Sequence, residues 1–272
     1  MMINNKYRMI ESKRLDSGEF VYRIQAISKF RDDVEVGDYG GWIQSEKNLS
    51  PDGSCWVADD AMVINGAMVT DHATVSKNAR VEVNAIVSGE ASVTDNCLIA
   101  GSSRILELAK IGGNAMIRNA IVQGAASVYG NAVVHGSCII TDTSKVYGDC
   151  KILGDSIIRD SSEICGNVSI VSPARISSYA DIKSPLDYWF LDTPVLNGHI
   201  TMHKCKPMTD VIRINYYSRT TGIHSFHSIE SFEKYVQECI TPSDTSLTSE
   251  QLNEIVHTIC AMAVATVLCG NR

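Results

Sequence analysis

The chain has 272 residues, 44% of them hydrophobic, which is enough to bury a sizeable core in one or two domains. Its net charge of −7 argues against a binder of nucleic-acid duplexes held mainly by phosphate contacts. No apolar run reaches the roughly 18 residues that a membrane span needs, so no membrane partner is expected. The longest run, Ile255 to Cys269, carries a His and two Thr. The first residues, MMINNKYRMIESKR, lack the apolar core of a secretory signal. The nine cysteines sit at no paired spacing and form no CxxC. They read as reduced thiols of a cytoplasmic protein.

In chain order, residues 1–50 read as an N-terminal β cap. YRMIESKRLDSGEFVYRIQAI predicts two strands around Ser17-Gly18. GDYGGWIQSEKNLS then leads into a repetitive region, and Trp42 and Trp56 are expected to cover the open end of the rod that this region builds.

Residues 51–182 obey a period of six. Stepping from Val57 gives Val or Ile at eleven successive positions to Ile117; one step of five reaches Val122, and eleven positions from there run to Ile182. The residue two places before each is small, mostly Ala, with Cys55, Cys97, Cys138, Cys150 and a few Ser; Val168 is the exception. β-branched residues favour a pleated backbone. Six residues fit a short strand plus a tight turn, and the Gly, Asn and Asp around each strand are turn formers. Residues two apart share a face, so the small residue and the Val/Ile both point inward. Three units close a triangular coil of 18 residues. About seven coils, stacked at roughly 4.8 Å, make a rod about 35 Å long. The core slots demand small side chains, so their cysteines read as small hydrophobes.

The residue before each Val/Ile points outward, and every third one lies on the same side. The first side carries Thr74, Ser92, Lys110, Ser127, Lys145, Glu163 and Asp181, a solvated set. The second carries Met62, Arg80, Leu98, Met116, Val133, Lys151 and Ser169. The third carries Met68, Ile86, Arg104, Ile121, Ile139, Ile157 and Arg175. Met68, Ile86, Ile121, Ile139 and Ile157 form an apolar stripe of the kind that marks an interface, so a homo-oligomer, dimer or trimer, is expected. Alternatively, the C-terminal helix covers that stripe.

Past Ile182 the period ends, and 183–272 read as a small α+β cap. ITMHKC and DVIRINYYS predict a hairpin, and Ser228 caps a helix. Thr248 to Gln251 forms a capping box for a last helix ending at Gly270. On a strand over 199–205, His199, Thr201, His203 and Cys205 share one face, and His199, His203 and Cys205 make a candidate zinc set. Lys204, Lys206, Arg213 and Arg219, with Tyr216, form a candidate phosphate or nucleotide site.

The hexads resemble those of the hexapeptide-repeat acyltransferase superfamily. GDYGGWIQSEKNLSPDGSCWV followed by VYGNAVV-type hexads is similar to bacterial and phage β-helix proteins assigned as acetyltransferases. The resemblance covers roughly residues 20–182 and implies a left-handed parallel β-helix. It also implies a His general base and an acyl-CoA groove between the rods of a trimer; His72 and His135 are the two histidines within the hexads. This sequence departs from the active pattern. After the Val/Ile, where a small residue is usual, it places Ile64, Glu82, Leu106, Tyr129 and Tyr147. No long loop breaks out of the coils. Three readings remain open: a non-catalytic oligomeric scaffold or binding protein with no cofactor, an acyltransferase using acetyl-CoA, and a small-ligand binder of nucleotide type.

Overall fold

The structure is a computed structural model and describes residues 4–171, 173–193, 196, 198–205, 212–219, 221–239 and 248–269. The chain is mainly β, a parallel β-solenoid with a small α+β end. The strands outside the coils are β1 (Tyr7–Arg14), β2 (Phe20–Ala26), β3 (Tyr39–Ile43), β4 (Tyr188–Thr193), β5 (Gly198–Lys204), β6 (Ile212–Ser218) and β7 (Gly222–Phe226). The helices are α1 (Ile229–Cys239) and α2 (Ser249–Cys269).

β1 and β2 form the expected antiparallel hairpin. β3 lies antiparallel to β2 and parallel to Met62–Val63, so a single sheet runs from the cap into the rod. Gly40 and Gly41 make this junction possible. A Cβ on Gly40 would sit 2.5 Å from side-chain atoms of Ile24 and Trp56, and one on Gly41 would sit 2.5 Å from the Ala61 carbonyl oxygen. Ile43 aligns with Val63 and Leu49 bridges Val69, so both already occupy core positions. The sides of the rod carry eight, eight and seven strands once β1 and β2 are set aside. There are therefore about eight coils, one more than the period alone predicts.

Trp42 does not plug the open end, whereas Trp56 is buried in the core cluster shared by rod and cap and packs on Phe30 of the cap. Trp42 aligns with Met62 and Trp56 with Thr74, both outward positions. Trp42 packs on Val21 and Ile64 beneath the Lys13 ammonium, 3.9 Å from the ring centroid. The core continues into the cap through Trp56, Tyr7, Ile24, Ala26 and Val34. Beside them Lys6 is buried, its Nζ donating to the Ser50 carbonyl at 3.0 Å and to Cys55 Sγ at 3.1 Å. Burial lowers the lysine pKa and raises that of the thiol.

Along the rod, strands pair in register every 18 residues, for example Ser92 with Lys110, and every 17 across the shortened step, as Arg104 with Ile121. All the Val/Ile slots and their small partners are buried. Each filled slot is worth roughly 1.5–3 kcal/mol of apolar burial. Cys97 is pushed up to about 11 by burial, and Cys138 and Cys150 are raised for the same reason. Such thiols are poor nucleophiles, in keeping with a packing role.

The corners follow from backbone geometry. Two places after nearly every Val/Ile stands a residue of positive φ: Asp59, Asp71, Gly89, Asp95, Gly101 and so on. That is where Gly, Asn and Asp cost least. The acidic side chains at these corners accept from the amide one coil on, as Asp71 does from Gly89 at 3.0 Å and Asp95 from Gly113 at 2.8 Å. At the next corner position Asn78, Asn96, Asn114 and Asn131 stack, each amide donating to the following side chain at 2.8–3.1 Å, and the run ends on Asp149.

At the far end β4 to β7 form an antiparallel meander. One face carries Ile200, Met202, Ile214 and Tyr216 and packs on Phe232, Val236, Leu252 and Val256 of the two helices. The other face docks on the last coils, where Asn215 Nδ2 donates to the Arg175 carbonyl at 2.7 Å and the Arg175 amide donates to Thr201 Oγ1 at 3.1 Å. The capping box forms as expected, with the Gln251 amide donating to Thr248 Oγ1 and the Thr248 amide donating to Gln251 Oε1. No helix among the described residues is long and apolar enough to cross a membrane.

Candidate functional site

The third side carries the expected stripe. Met68, Ile86, Arg104, Ile121, Ile139, Ile157 and Arg175 pair in one ladder. Met68 is exposed, and Ile86, Ile121, Ile139 and Ile157 are half-buried. Among the described residues α2 packs mainly on α1, β4, β5 and the turn Pro185–Asp187 rather than along the stripe, while at the far end Ile157 lines a small cavity with Asn215 of β6 and Ile223 of β7.

The first side, expected to be evenly solvated, instead holds a groove of about 600 Å³. Lys110, Ser127 and Lys145 form its floor in one ladder, with Tyr129 and Tyr147 along one edge and Glu90, Leu108 and Ala125 along the other. A smaller groove near the cap lies between Arg31, Tyr39, Trp56 and Thr74.

The two rod histidines stand apart. His72 sits at a corner with Nδ1 2.9 Å from Ser54 Oγ. His135 is exposed on the second side, between Arg118 and Leu153 in the ladder. The His135 ring has no hydrogen-bond partner among the described residues. A general base needs an orienting partner and room for an acceptor, and neither histidine lines the two grooves of the first side.

The C-terminal candidates resolve into interior roles. His199, Thr201 and His203 do share one face of β5, but that face is the one docked on the rod. His203 is fully buried. Its Nε2 lies 3.5 Å from the Ser177 amide and 3.3 Å from Asn215 Nδ2, and its Nδ1 lies 3.2 Å from the Lys204 carbonyl. The partners set the tautomer: Nδ1 carries the proton and Nε2 accepts. Burial pushes its pKa down to about 4, and burial with the nearby Arg175 charge does the same for His199. Cys205 Sγ is 3.6 Å from His203 Nδ1. His199 instead stacks on Tyr217, with ring centroids 4.8 Å apart. Among the described residues no three His, Cys, Asp or Glu side chains gather into a set that could hold a metal ion.

The basic set also disperses. Lys204 is buried against Asp187, Nζ to Oδ1 2.7 Å. Arg213 lies on the opposite face of the sheet, its Nη1 3.1 Å from His227 Nε2. Tyr216 is a core residue whose hydroxyl donates to the Leu196 carbonyl. Arg219 is exposed in the turn after β6, and Lys206 lies outside the described residues. Alternation along a strand separates Lys204 from the arginine across the sheet.

Compared with models of known protein families the chain finds no match, and it finds none among curated proteins.

Proposed function

We propose that the chain is a non-catalytic rod that assembles with copies of itself, as a dimer or trimer, through the third side. The observation that carries this reading is the ladder from Met68 to Ile139, against which α2 does not pack closely among the described residues. A partly exposed apolar stripe of this kind, interrupted at Arg104, favours association. The 18-residue coils support the likeness to hexapeptide-repeat proteins at the level of the fold. They carry no argument for acyl transfer, because fold does not fix chemistry.

The test is the mass in solution. The native chain, 29.7 kDa, should run as an oligomer, and Ile139→Asp should return it to the monomer. A monomeric native chain, or an oligomer unmoved by Ile139→Asp, overturns the reading. Calorimetric titration with acetyl-CoA separates the enzyme alternative: saturable micromolar binding would favour acyl transfer and make His72 and His135 the bases to test.

A further inference from the structure

The groove on the first side is built by side chains that lean apart. Tyr129 and Tyr147 occupy the same outward position on successive coils. Tyr129 leans toward the preceding coil and lies over Gly112, where a Cβ would come within 2.8 Å of the ring. Tyr147 leans the other way, its hydroxyl donating to Glu163 on the following coil. Each ring is held, and the strip between them stays open. Lys110 and Lys145 stand two coils apart in the adjacent ladder, about 10 Å at one strand spacing per coil, with the Ser127 hydroxyl between them. Both lysines are exposed, and neither makes an ion pair among the described residues. Leu108, half exposed at 50%, adds an apolar stretch to the opposite rim, where Glu90 is, among the described residues, the one carboxylate lining the groove.

These features select a ligand chemistry. Two lysines on ladder positions about 10 Å apart, without an ion pair among the described residues, call for an anion on two points of one extended molecule. Aromatic faces along the edge call for a flat body with an apolar side, and the central hydroxyl calls for polar groups between the charges. The cradle from Gly112 to Glu163 spans three coil steps, about 14 Å, the length of a short chain rather than of one ring. The geometry points to a binding site for an acidic oligosaccharide, two or three sugars long, with carboxylates on alternate sugars over Lys110 and Lys145 and sugar faces against Tyr129 and Tyr147. A mononucleotide fits less well, because its charge gathers at one end. The site lies on the first side and does not depend on self-association through the third.

The experiment is calorimetric titration of the full chain with a trisaccharide of uronic acids, with a neutral trisaccharide of the same linkage and tripolyphosphate as comparison ligands. The acidic trisaccharide should bind saturably, and the neutral one should bind at least tenfold more weakly. Lys145→Glu and Tyr129→Ala should each weaken binding at least tenfold, with the thermal transition of each variant recorded to show that it is folded. Tyr147→Phe, which keeps the ring but loses its tether to Glu163, should weaken binding less than Tyr147→Ala does. Absence of binding by the acidic trisaccharide overturns the proposal. So does tripolyphosphate binding as tightly while Tyr129→Ala has no effect, which would reveal a general anion patch. Should Tyr129→Ala unfold, Tyr147→Ala decides in its place: undiminished binding would refute the role of the rings.

Discussion

Acidification should loosen the seat of the C-terminal sheet on the rod. His203 is fully buried there, with Nε2 accepting from the Ser177 amide and Asn215. A proton on Nε2 would face two N–H donors with nothing to accept it. Its folded pKa is therefore low, about 4, against an ordinary value of 6.5. The unfolded chain thus takes up the proton first as the pH falls. The stability contributed by the neutral ring is complete above pH 6.5 and is lost progressively toward pH 4. Between about pH 7 and pH 5 the linkage amounts to about 2 kcal/mol for His203 alone. His199, also buried and lowered to about 4, adds a loss of the same sign. Trp189 belongs to this end of the molecule. With Trp42→Phe and Trp56→Phe in place it is the only remaining tryptophan and reports the region by fluorescence. Its urea midpoint should fall markedly over the same pH interval, and His203→Gln should flatten that dependence. An equal midpoint at both pH values in the histidine-bearing chain would refute the reasoning.

Other positions give sharper local tests. Ser144 fills a core slot, yet its buried hydroxyl has no hydrogen-bond partner among the described residues. Ser144→Ala should raise stability by about 1 kcal/mol in denaturant titration, and a loss would show that the hydroxyl is satisfied. Val83 is held at φ +56° beside Asn84 at +62°, a conformation that costs a β-branched side chain about 1–2 kcal/mol. Val83→Asn should therefore raise the melting temperature by a few degrees. Asn96 both accepts from Asn78 and donates to Asn114. Asn96→Ala should cost about 1–2 kcal/mol, read as a lower thermal midpoint; no change would mean that water replaces the ladder freely.

Much of this molecule was legible in the residues because a solenoid repeats one local rule. Val/Ile at every sixth place, with a small residue two before it, fixes which side chains face inward. Asp, Asn and Gly at the corners follow from the positive φ that a turn of this size imposes. The capping box at Thr248 and Gln251 is local in the same sense. Such features depend on neighbours a few residues away, so the sequence determined the coil, its outer columns and the apolar stripe.

The remainder needed contacts between distant segments. Residues 39–43 do not carry the hexad, and they join the rod because Gly40 and Gly41 let the cap approach the first coil. Trp42 lies on the flank because β3 pairs with Met62–Val63 and turns its ring outward. The shared face of His199, Thr201 and His203 was visible as alternation, but only docking on Arg175 and Ser177 makes it an interior surface with neutral histidines. Lys204 and Arg213 looked like one basic cluster until the pairing of β5 with β6 put them on opposite faces. Tyr129 and Tyr147 were placed on one ladder by the period itself. The direction in which each ring leans was decided by the space above Gly112 and by the carboxylate of Glu163, and that divergence is what opens the groove.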